Sequence, residues 1–320
     1  MLAETCLWFI AFSFVLLIIA VIGVWKVDKP ETFEVLKLSE AGKKREEKQK
    51  VKLREMLAVL KDNRAMQMHI ITGVSDKLAQ QTGSQQIINT LINGVLIGSY
   101  VASQMVNNVS LGVGIVFLFF GGFFIAKWGA KKTTVIWSWI SIAVAVVTIL
   151  FCLFLGGPEG MKKIGVMGVP VIIYTVLTLL KSSASMVLTA TNGARAADVT
   201  DYEYMRSGNY LPAVVSATYS FIDKAVSSLG SLVATGCVAL VGYVNTVPQM
   251  GDKATWPIFW MGMFLMFGLP ILGWILNVIS MKFYILDKEK MVEVQKTLAE
   301  RKKEVEAMEA EAAKESSDEA

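Results

Sequence analysis

Long apolar runs alternate with short polar segments along most of the chain. A membrane-spanning helix needs ~20 mostly apolar residues, because the hydrocarbon core is ~30 Å thick and an α-helix rises ~1.5 Å per residue. Runs of sufficient length lie at 5–25, 109–127, 133–156, 164–192, 213–243 and 256–281. The pattern predicts an all-α membrane protein, a polytopic helical bundle.

A seventh run, at about 66–100, is apolar only in its second half. Its first half contains "SDKLAQQTGSQQ", which a helix facing lipid would not carry. Either the whole run is a helix that lines an aqueous cavity, or the span is the second half alone with a polar lead-in. The apolar part alone is short, which favours the cavity helix and gives about seven transmembrane helices.

Composition and charge agree with a membrane protein and orient it. The 320 residues are 54% hydrophobic and 18% charged, against ~45–50% and ~25% in soluble domains. Residues 26–64 hold twelve lysines and arginines, so this loop is predicted to be cytoplasmic. Strict alternation then places the N-terminus outside and the C-terminus in the cytoplasm.

Four segments follow from these boundaries. We expect a transmembrane helix at 1–25, a basic cytoplasmic connector at 26–64, a six-helix unit at 65–284, and a charged helical tail at 285–320 that is partly disordered. Near-heptad spacing in the tail leaves a coiled-coil contact as an alternative. The single histidine, His69, leaves almost nothing for a histidine-based metal site or a Ser-His-Asp triad.

Two adjacent charges interrupt the apolar run from Val214 to Tyr243. Asp223 and Lys224 are the only charges there, and a charge in hydrocarbon costs at least ~2.5–3.5 kcal/mol unless it faces a partner or water. Ser216, Ser220 and Lys224 recur every four residues and predict one polar stripe on a helix. Serines alone often serve only close helix packing, and a structural ion pair for Lys224 remains an alternative to a binding role.

Polar residues on three predicted helices favour a common aqueous cavity. The substrate and cavity candidates are Lys224, Tyr219, Ser220, Asp223, Thr189, Asp76 and Gln80. Residues 181–192 supply a polar flank, which also includes Lys181 and Asn192.

A second set of charges lies near the predicted cytoplasmic side. Carboxylates are disfavoured at the C-terminal end of a helix by its dipole, so Asp198 and Asp201 are expected to have cationic partners. The candidates for this gating and charge network are Asp198, Asp201, Arg195, Arg206, Lys127, Lys131 and Lys132. The last three belong to "GGFFIAKWGAKK", whose glycines permit a tight turn.

Residues 197–243 resemble the tenth helix, loop and eleventh helix of the glycoside–pentoside–hexuronide:cation symporters, the melibiose-permease-like branch of the major facilitator superfamily. "Ala-Asp-Val-Thr-Asp-Tyr" at 197–202 is similar to that family's A-D-x-x-D-Y signature, and Lys224 falls without a gap on its intramembrane lysine. "GGFFIAKWGAKK" resembles the basic loop between helices eight and nine, and "LKDNR" at 60–64 resembles the lead-in to helix seven. The resemblance covers roughly 60–290.

The resemblance implies that the seven spans are helices six to twelve of a twelve-helix transporter, including the C-terminal half of a major facilitator fold. It implies transport of a small polar solute, a sugar or glycoside, coupled to Na⁺ or H⁺ in the plasma membrane of a bacterium. No bound cofactor is expected, and most of the cation site would belong to helices one to five. The partners would be the solute, membrane lipids and an N-terminal half, with no nucleic acid; that half would belong to the same chain or be encoded separately.

The chain departs from the family pattern at several positions. Tyr210 and Pro212 stand where the family usually has an arginine and a glutamate, and Tyr204 replaces an acidic residue. These departures leave the solute and the coupling ion unassigned.

Two other functions fit the sequence less well. A seven-helix photoreceptor would need its lysine on the last span, yet 256–281 has no ionisable residue. A membrane-embedded enzyme could use the Asp198–Asp201 pair, but no second half of a catalytic set accompanies it. For a transporter, we expect Lys224 to face the cavity between the two halves and Asp223 to turn toward its own half, where Lys181 or Ser182 would donate to it.

Overall fold

A computed structural model describes residues 53–166, 168–207 and 212–300, together with isolated positions between 13 and 23. These residues form helices, turns and irregular segments, with no strand among them. Contacts divide the chain into two units, 1–52 and 53–320, of which the second contains nearly all described residues. The predicted helix at 5–25 and most of the basic connector lie largely outside the described residues, as does the tail beyond 300.

The second unit is built from eleven α-helices in its described part. They are α1 (Leu53–Asp62), α2 (Arg64–Gly83), α3 (Gln86–Asn89), α4 (Tyr100–Phe154), α5 (Gly157–Met161), α6 (Val169–Ser207), α7 (Pro212–Ser227), α8 (Leu229–Leu240), α9 (Trp256–Met263), α10 (Leu269–Phe283) and α11 (residues 288–300). Two π-helical segments, Thr90–Leu96 and Phe264–Gly268, extend α3 and join α9 to α10. A 3₁₀ turn, Lys162–Gly165, follows α5.

Four of the helical stretches are long and apolar enough to cross a membrane: Tyr100–Phe154, Val169–Ser207, Pro212–Leu240 and Trp256–Phe283. At ~1.5 Å per residue, the 55 residues of α4 would extend about 80 Å, more than two bilayer cores. Gly129 divides α4, because its φ of 81° and ψ of 160° are not helical. The two predicted spans at 109–127 and 133–156 therefore lie on either side of this glycine.

The ambiguous run at 66–100 forms two successive helices. α2 begins with Asn63, whose side chain accepts a hydrogen bond from the Met66 amide at 3.0 Å. α2 ends at Gly83, and α3 with its π-helical extension carries the apolar residues. The polar half is thus a helix of its own and not a lead-in, but the run is two helices and not the single continuous helix that was favoured.

Large apolar side chains cover much of the outer surface of this unit. Phe119, Phe154 and Leu240 are 77%, 90% and 81% exposed. A surface of this kind is compatible with lipid and not with water, because contiguous exposed apolar patches are rare on soluble proteins. The protein is therefore an integral membrane protein.

The helices pack into two apolar clusters at opposite ends of the bundle. One contains Ile88, Cys152 and Phe259, and the other contains Met66, Val199 and Tyr284. α4 packs along α6, while α2 packs against α10, α7 and α8. Polar side chains of α2, α6 and α7 face the interior of this unit, which places the candidate site inside the bundle.

Candidate functional site

A cavity of about 710 Å³ opens among α2, α3, α4, α6, α7 and the α9–α10 pair. Its apolar lining includes Ile88, Leu188 and Trp274. Many polar side chains share the wall: Asp76, Lys77, Gln80, Asn89, Asn93, Gln104, Asn107, Lys181, Ser185, Thr189, Asn192, Tyr219 and Asp223. The volume is within the range of ~300–1,000 Å³ typical of small-molecule sites.

The structure brings most of the predicted cavity residues together. Asp76, Gln80, Thr189, Tyr219 and Asp223 all line the cavity. They come from α2, α6 and α7, the three helices whose polar faces were expected to converge.

Two of the predicted cavity residues on α7, Lys224 and Ser220, do not line this cavity. Asp223 lines the cavity, whereas Lys224 and Ser220 are exposed and lie outside its wall. Ser216 is exposed as well, so the predicted stripe of Ser216, Ser220 and Lys224 exists but turns away from the interior of this unit. The cavity is lined instead by the face of α7 that carries Tyr219 and Asp223.

Tyr219 explains this orientation of α7. Its ring stacks on His69, with 4.7 Å between the ring centroids, and its hydroxyl accepts a hydrogen bond from Asn192 Nδ2 at 3.0 Å. Asp223 follows four residues later and shares the same face of the helix. Lys224 is rotated about 100° from Asp223 and consequently points outward.

Asp76 is held by an amide and not by a cation. Asn277 on α10 donates from Nδ2 to both carboxylate oxygens of Asp76, at 3.1 and 3.0 Å. Ser75 Oγ lies 3.5 Å from Asn277 Oδ1. Sequence reasoning missed Asn277, although it is a lone amide in the otherwise apolar run 256–281.

Lys181 also differs from its expected role. Its Nζ donates to the carbonyl oxygen of Met266 at 3.2 Å and lies 4.6 Å from the centre of the Phe267 ring. Ser182 instead donates to the carbonyl oxygen of Ser110 at 3.3 Å. The expected donation from Lys181 or Ser182 to Asp223 is therefore replaced by contacts to neighbouring helices.

Arg195 holds the C-terminal part of α6 through hydrogen bonds to neutral side chains. Its guanidinium is 1% exposed and donates to the side chains of Thr134, Thr191 and Asn192. The last two bonds measure 3.0 and 3.3 Å. Arg195 and Asp198 attract each other without forming an ion pair.

Asp201 has a neutral hydrogen-bond partner instead of the predicted cation. Asp201 accepts a hydrogen bond from Gln295 Nε2 on α11 at 2.6 Å. Arg206 pairs with Glu203 at 3.0 Å, and Asn63 Nδ2 also donates to Glu203 at 2.8 Å. Glu203 takes the arginine because it lies three residues before it, one helical turn away.

The basic residues around Gly129 lie at the end of the bundle and away from the cavity. Lys131 Nζ donates to the Tyr284 carbonyl oxygen at 2.6 Å, Lys127 lies over the ring of Trp128, and Lys132 is exposed. Lys288 donates to the carbonyl oxygens of Ala126 and Lys127, both at 3.0 Å. These contacts join the start of the tail to the turn between the two parts of α4.

Sequence comparison decides the family. A model of the MFS/sugar transport protein family matches residues 2–288. The chain belongs to this family. No curated protein and no solved structure matches the chain significantly. Family membership agrees with the resemblance drawn from residues 197–243 and places the chain among sugar transporters.

Proposed function

We propose that the protein carries out secondary active transport of a small polar solute, a sugar or glycoside, coupled to Na⁺ or H⁺. The observation that carries the proposal is the cavity of about 710 Å³, with polar side chains supplied by several spanning helices. Secondary transporters bind their solutes near the middle of the membrane between helical repeats and expose them alternately to the two sides.

The chemistry of the cavity wall suits a polyhydroxylated solute. Gln80, Thr189 and Asn192 offer amide and hydroxyl groups, which can both donate and accept hydrogen bonds. Asp76 and Asp223 offer carboxylate acceptors for hydroxyl donors. A few polar groups on an otherwise apolar wall orient a small ligand and give specificity.

The polar stripe on the outer face of α7 supports the packing of a second helical unit against it. Ser216, Ser220 and Lys224 are exposed on a helix that crosses the membrane. A charged residue at membrane depth faces protein or water and not lipid. We propose that an N-terminal half of the transporter lies against this face, contributes most of the cation site, and bounds the passage between the halves together with Lys224.

The proposed membrane is the plasma membrane of a bacterium, with the N-terminus outside and the C-terminus cytoplasmic. The twelve lysines and arginines of residues 26–64 support this orientation. In the same orientation, the contacts of Lys131, Lys288 and Gln295 belong to the cytoplasmic side.

Uptake by the intact protein in liposomes tests the proposal. Labelled sugars would be supplied outside under an inward Na⁺ gradient, an inward H⁺ gradient or no gradient. We expect accumulation of at least one sugar above its external concentration with one of the two gradients. Equilibration without accumulation under every gradient would contradict the coupling, and absence of any sugar flux would contradict the transport function.

A further inference from the structure

Lys181 is a cation inside the bundle that the transport proposal leaves unused. It lies twelve residues into α6, about 18 Å from the start of that helix and near the centre of a ~30 Å hydrocarbon core. It is partly buried and lines the cavity. A charge at this depth costs at least ~2.5–3.5 kcal/mol unless partners compensate it.

The contacts of Lys181 fix its ammonium group but do not saturate it. An ammonium carries three donors. One is accepted by the Met266 carbonyl at 3.2 Å, and the Phe267 ring lies 4.6 Å from Nζ. Met266 and Phe267 belong to the π-helical segment Phe264–Gly268, and such segments are frequent at functional sites.

The cavity provides Lys181 with no carboxylate partner among the described residues. The ion pairs in this part of the chain are Lys162–Glu159, Arg206–Glu203 and Lys290–Glu293. Asp76 is engaged by Asn277, and Asp223 lies on the face of α7 that Tyr219 fixes. The positive charge at this wall therefore has no fixed counter-ion in the described unit.

The same face of α6 continues with hydroxyl groups. Ser185 and Thr189 follow Lys181 at intervals of four residues, and both line the cavity. The wall thus offers a cation at one level and hydrogen-bonding groups at the next two turns. A solute with an acidic group beside several hydroxyl groups matches this order.

We propose that Lys181 binds an acidic group, a carboxylate, on the transported solute, and that it makes the transporter prefer acidic sugars to their neutral counterparts. The inference rests on the proposed transport function and deepens it. Lys181 acts here as a specificity-determining residue that touches the solute, with the Met266 carbonyl and the Phe267 ring holding its ammonium in place.

Matched sugar pairs test this inference in the intact protein reconstituted into liposomes. Glucose would be compared with glucuronate, galactose with galacturonate, and methyl glucoside with methyl glucuronide. Lys181→Met removes the charge at similar side-chain length, and Lys181→Arg keeps it. Lys77→Met removes the other lysine that lines the cavity and tests whether that lysine binds the acidic group instead.

We expect the wild-type protein to take up at least one acidic sugar more efficiently than its neutral counterpart. A hydrogen bond to a charged group contributes ~1.5–3 kcal/mol, so Lys181→Met is expected to lower that preference about 10- to 100-fold. Uptake of the neutral sugar is expected to stay within about twofold, and Lys181→Arg and Lys77→Met are expected to keep the preference.

Several results would overturn the inference. Equal losses for both members of a pair in Lys181→Met would show a purely structural role, and loss of the preference in Lys77→Met alone would place the anion elsewhere. Transport of neutral sugars without acidic ones by the wild type would refute this inference while leaving sugar transport intact. Absence of uptake for every pair would instead refute the proposed function. If Lys181→Met fails to insert, Lys181→Gln, which removes the charge and keeps a polar side chain, carries the same expected loss of preference.

Discussion

Three charged side chains inside this bundle form their hydrogen bonds with neutral groups. Asp76 receives two hydrogen bonds from the Asn277 amide, and Arg195 is surrounded by two threonines and an asparagine. Lys181 uses a backbone carbonyl and an aromatic ring. Charges that are not tied to fixed counter-ions remain available to a solute, a coupling ion or another helix.

The Asp76–Asn277 contact gives a prediction at this scale. Asn277→Ala leaves the carboxylate of Asp76 without its donor, which is expected to cost ~1–3 kcal/mol of stability. A lower thermal denaturation temperature of the purified protein in detergent would show this loss. The double variant Asp76→Asn/Asn277→Ala removes the charge too and is expected to recover most of the loss. Equal stability of wild type and Asn277→Ala would mean that the contact contributes nothing.

Contacts between individual side chains were harder to predict from the sequence than the helices. Asp76, Gln80 and Thr189 could be placed at a cavity because polar residues in apolar runs need a wet or paired surface. That Lys224 and Ser220 lie outside this cavity could not be predicted, because the orientation of α7 depends on Tyr219 and its long-range contacts to His69 and Asn192. The partners of Asp201 and Lys181 are likewise distant in sequence, at Gln295 and Met266.

The helices themselves follow closely from the apolar pattern. Five predicted spans, at 109–127, 133–156, 164–192, 213–243 and 256–281, correspond to helical stretches. The breaks within them were harder to foresee. Neither π-helical segment has a distinct sequence signal. The polar end of α6 extends to Ser207, where Glu203 accepts a hydrogen bond from Asn63 at the start of α2 and Asp201 accepts one from Gln295 on α11.

The turn at Gly129, which divides α4, allows a test of how a single residue shapes a helix. Its φ of 81° and ψ of 160° belong to a region that only glycine adopts readily. Gly129→Ala is expected to cost ~1–3 kcal/mol, because a side chain there is strained and would also press on Lys288. Thermal denaturation of the purified variant measures the loss. Gly122→Ala is the matched control, since its added carbon meets open space, and an equal effect of both substitutions would contradict the special role of Gly129.

The described unit as a whole presents two kinds of outer surface. Most of it is apolar, with large exposed side chains such as Phe119 and Leu240. One strip, formed by Ser216, Ser220 and Lys224 on α7, is polar. Because a charge at membrane depth faces protein or water and not lipid, we propose that this strip lies at the boundary with a second helical half.

Lys224 therefore gives a prediction for the whole molecule. Lys224→Ala in the intact transporter is expected to abolish coupled uptake while the protein still inserts into the membrane. Labelled-sugar uptake and the amount of protein in the membrane fraction would be measured together. Lys163→Ala, in the segment between α5 and α6, is the control and should transport normally. Uptake by Lys224→Ala at the wild-type rate would contradict this prediction. It would indicate that Lys224 only extends its ammonium group toward the membrane surface.

The most direct test of the central claim, that the cavity binds the solute, is protection of a single cysteine at its wall. Cys6, Cys152 and Cys237 would be replaced and Thr189→Cys introduced, with Phe119→Cys on the apolar surface as the control. Labelling by a charged maleimide would then be timed with and without a transported sugar. We expect that position 189 reacts and that the sugar slows its labelling severalfold, while position 119 is unreactive in both conditions. Labelling of position 189 at the same rate with and without a sugar that the protein transports would contradict the account.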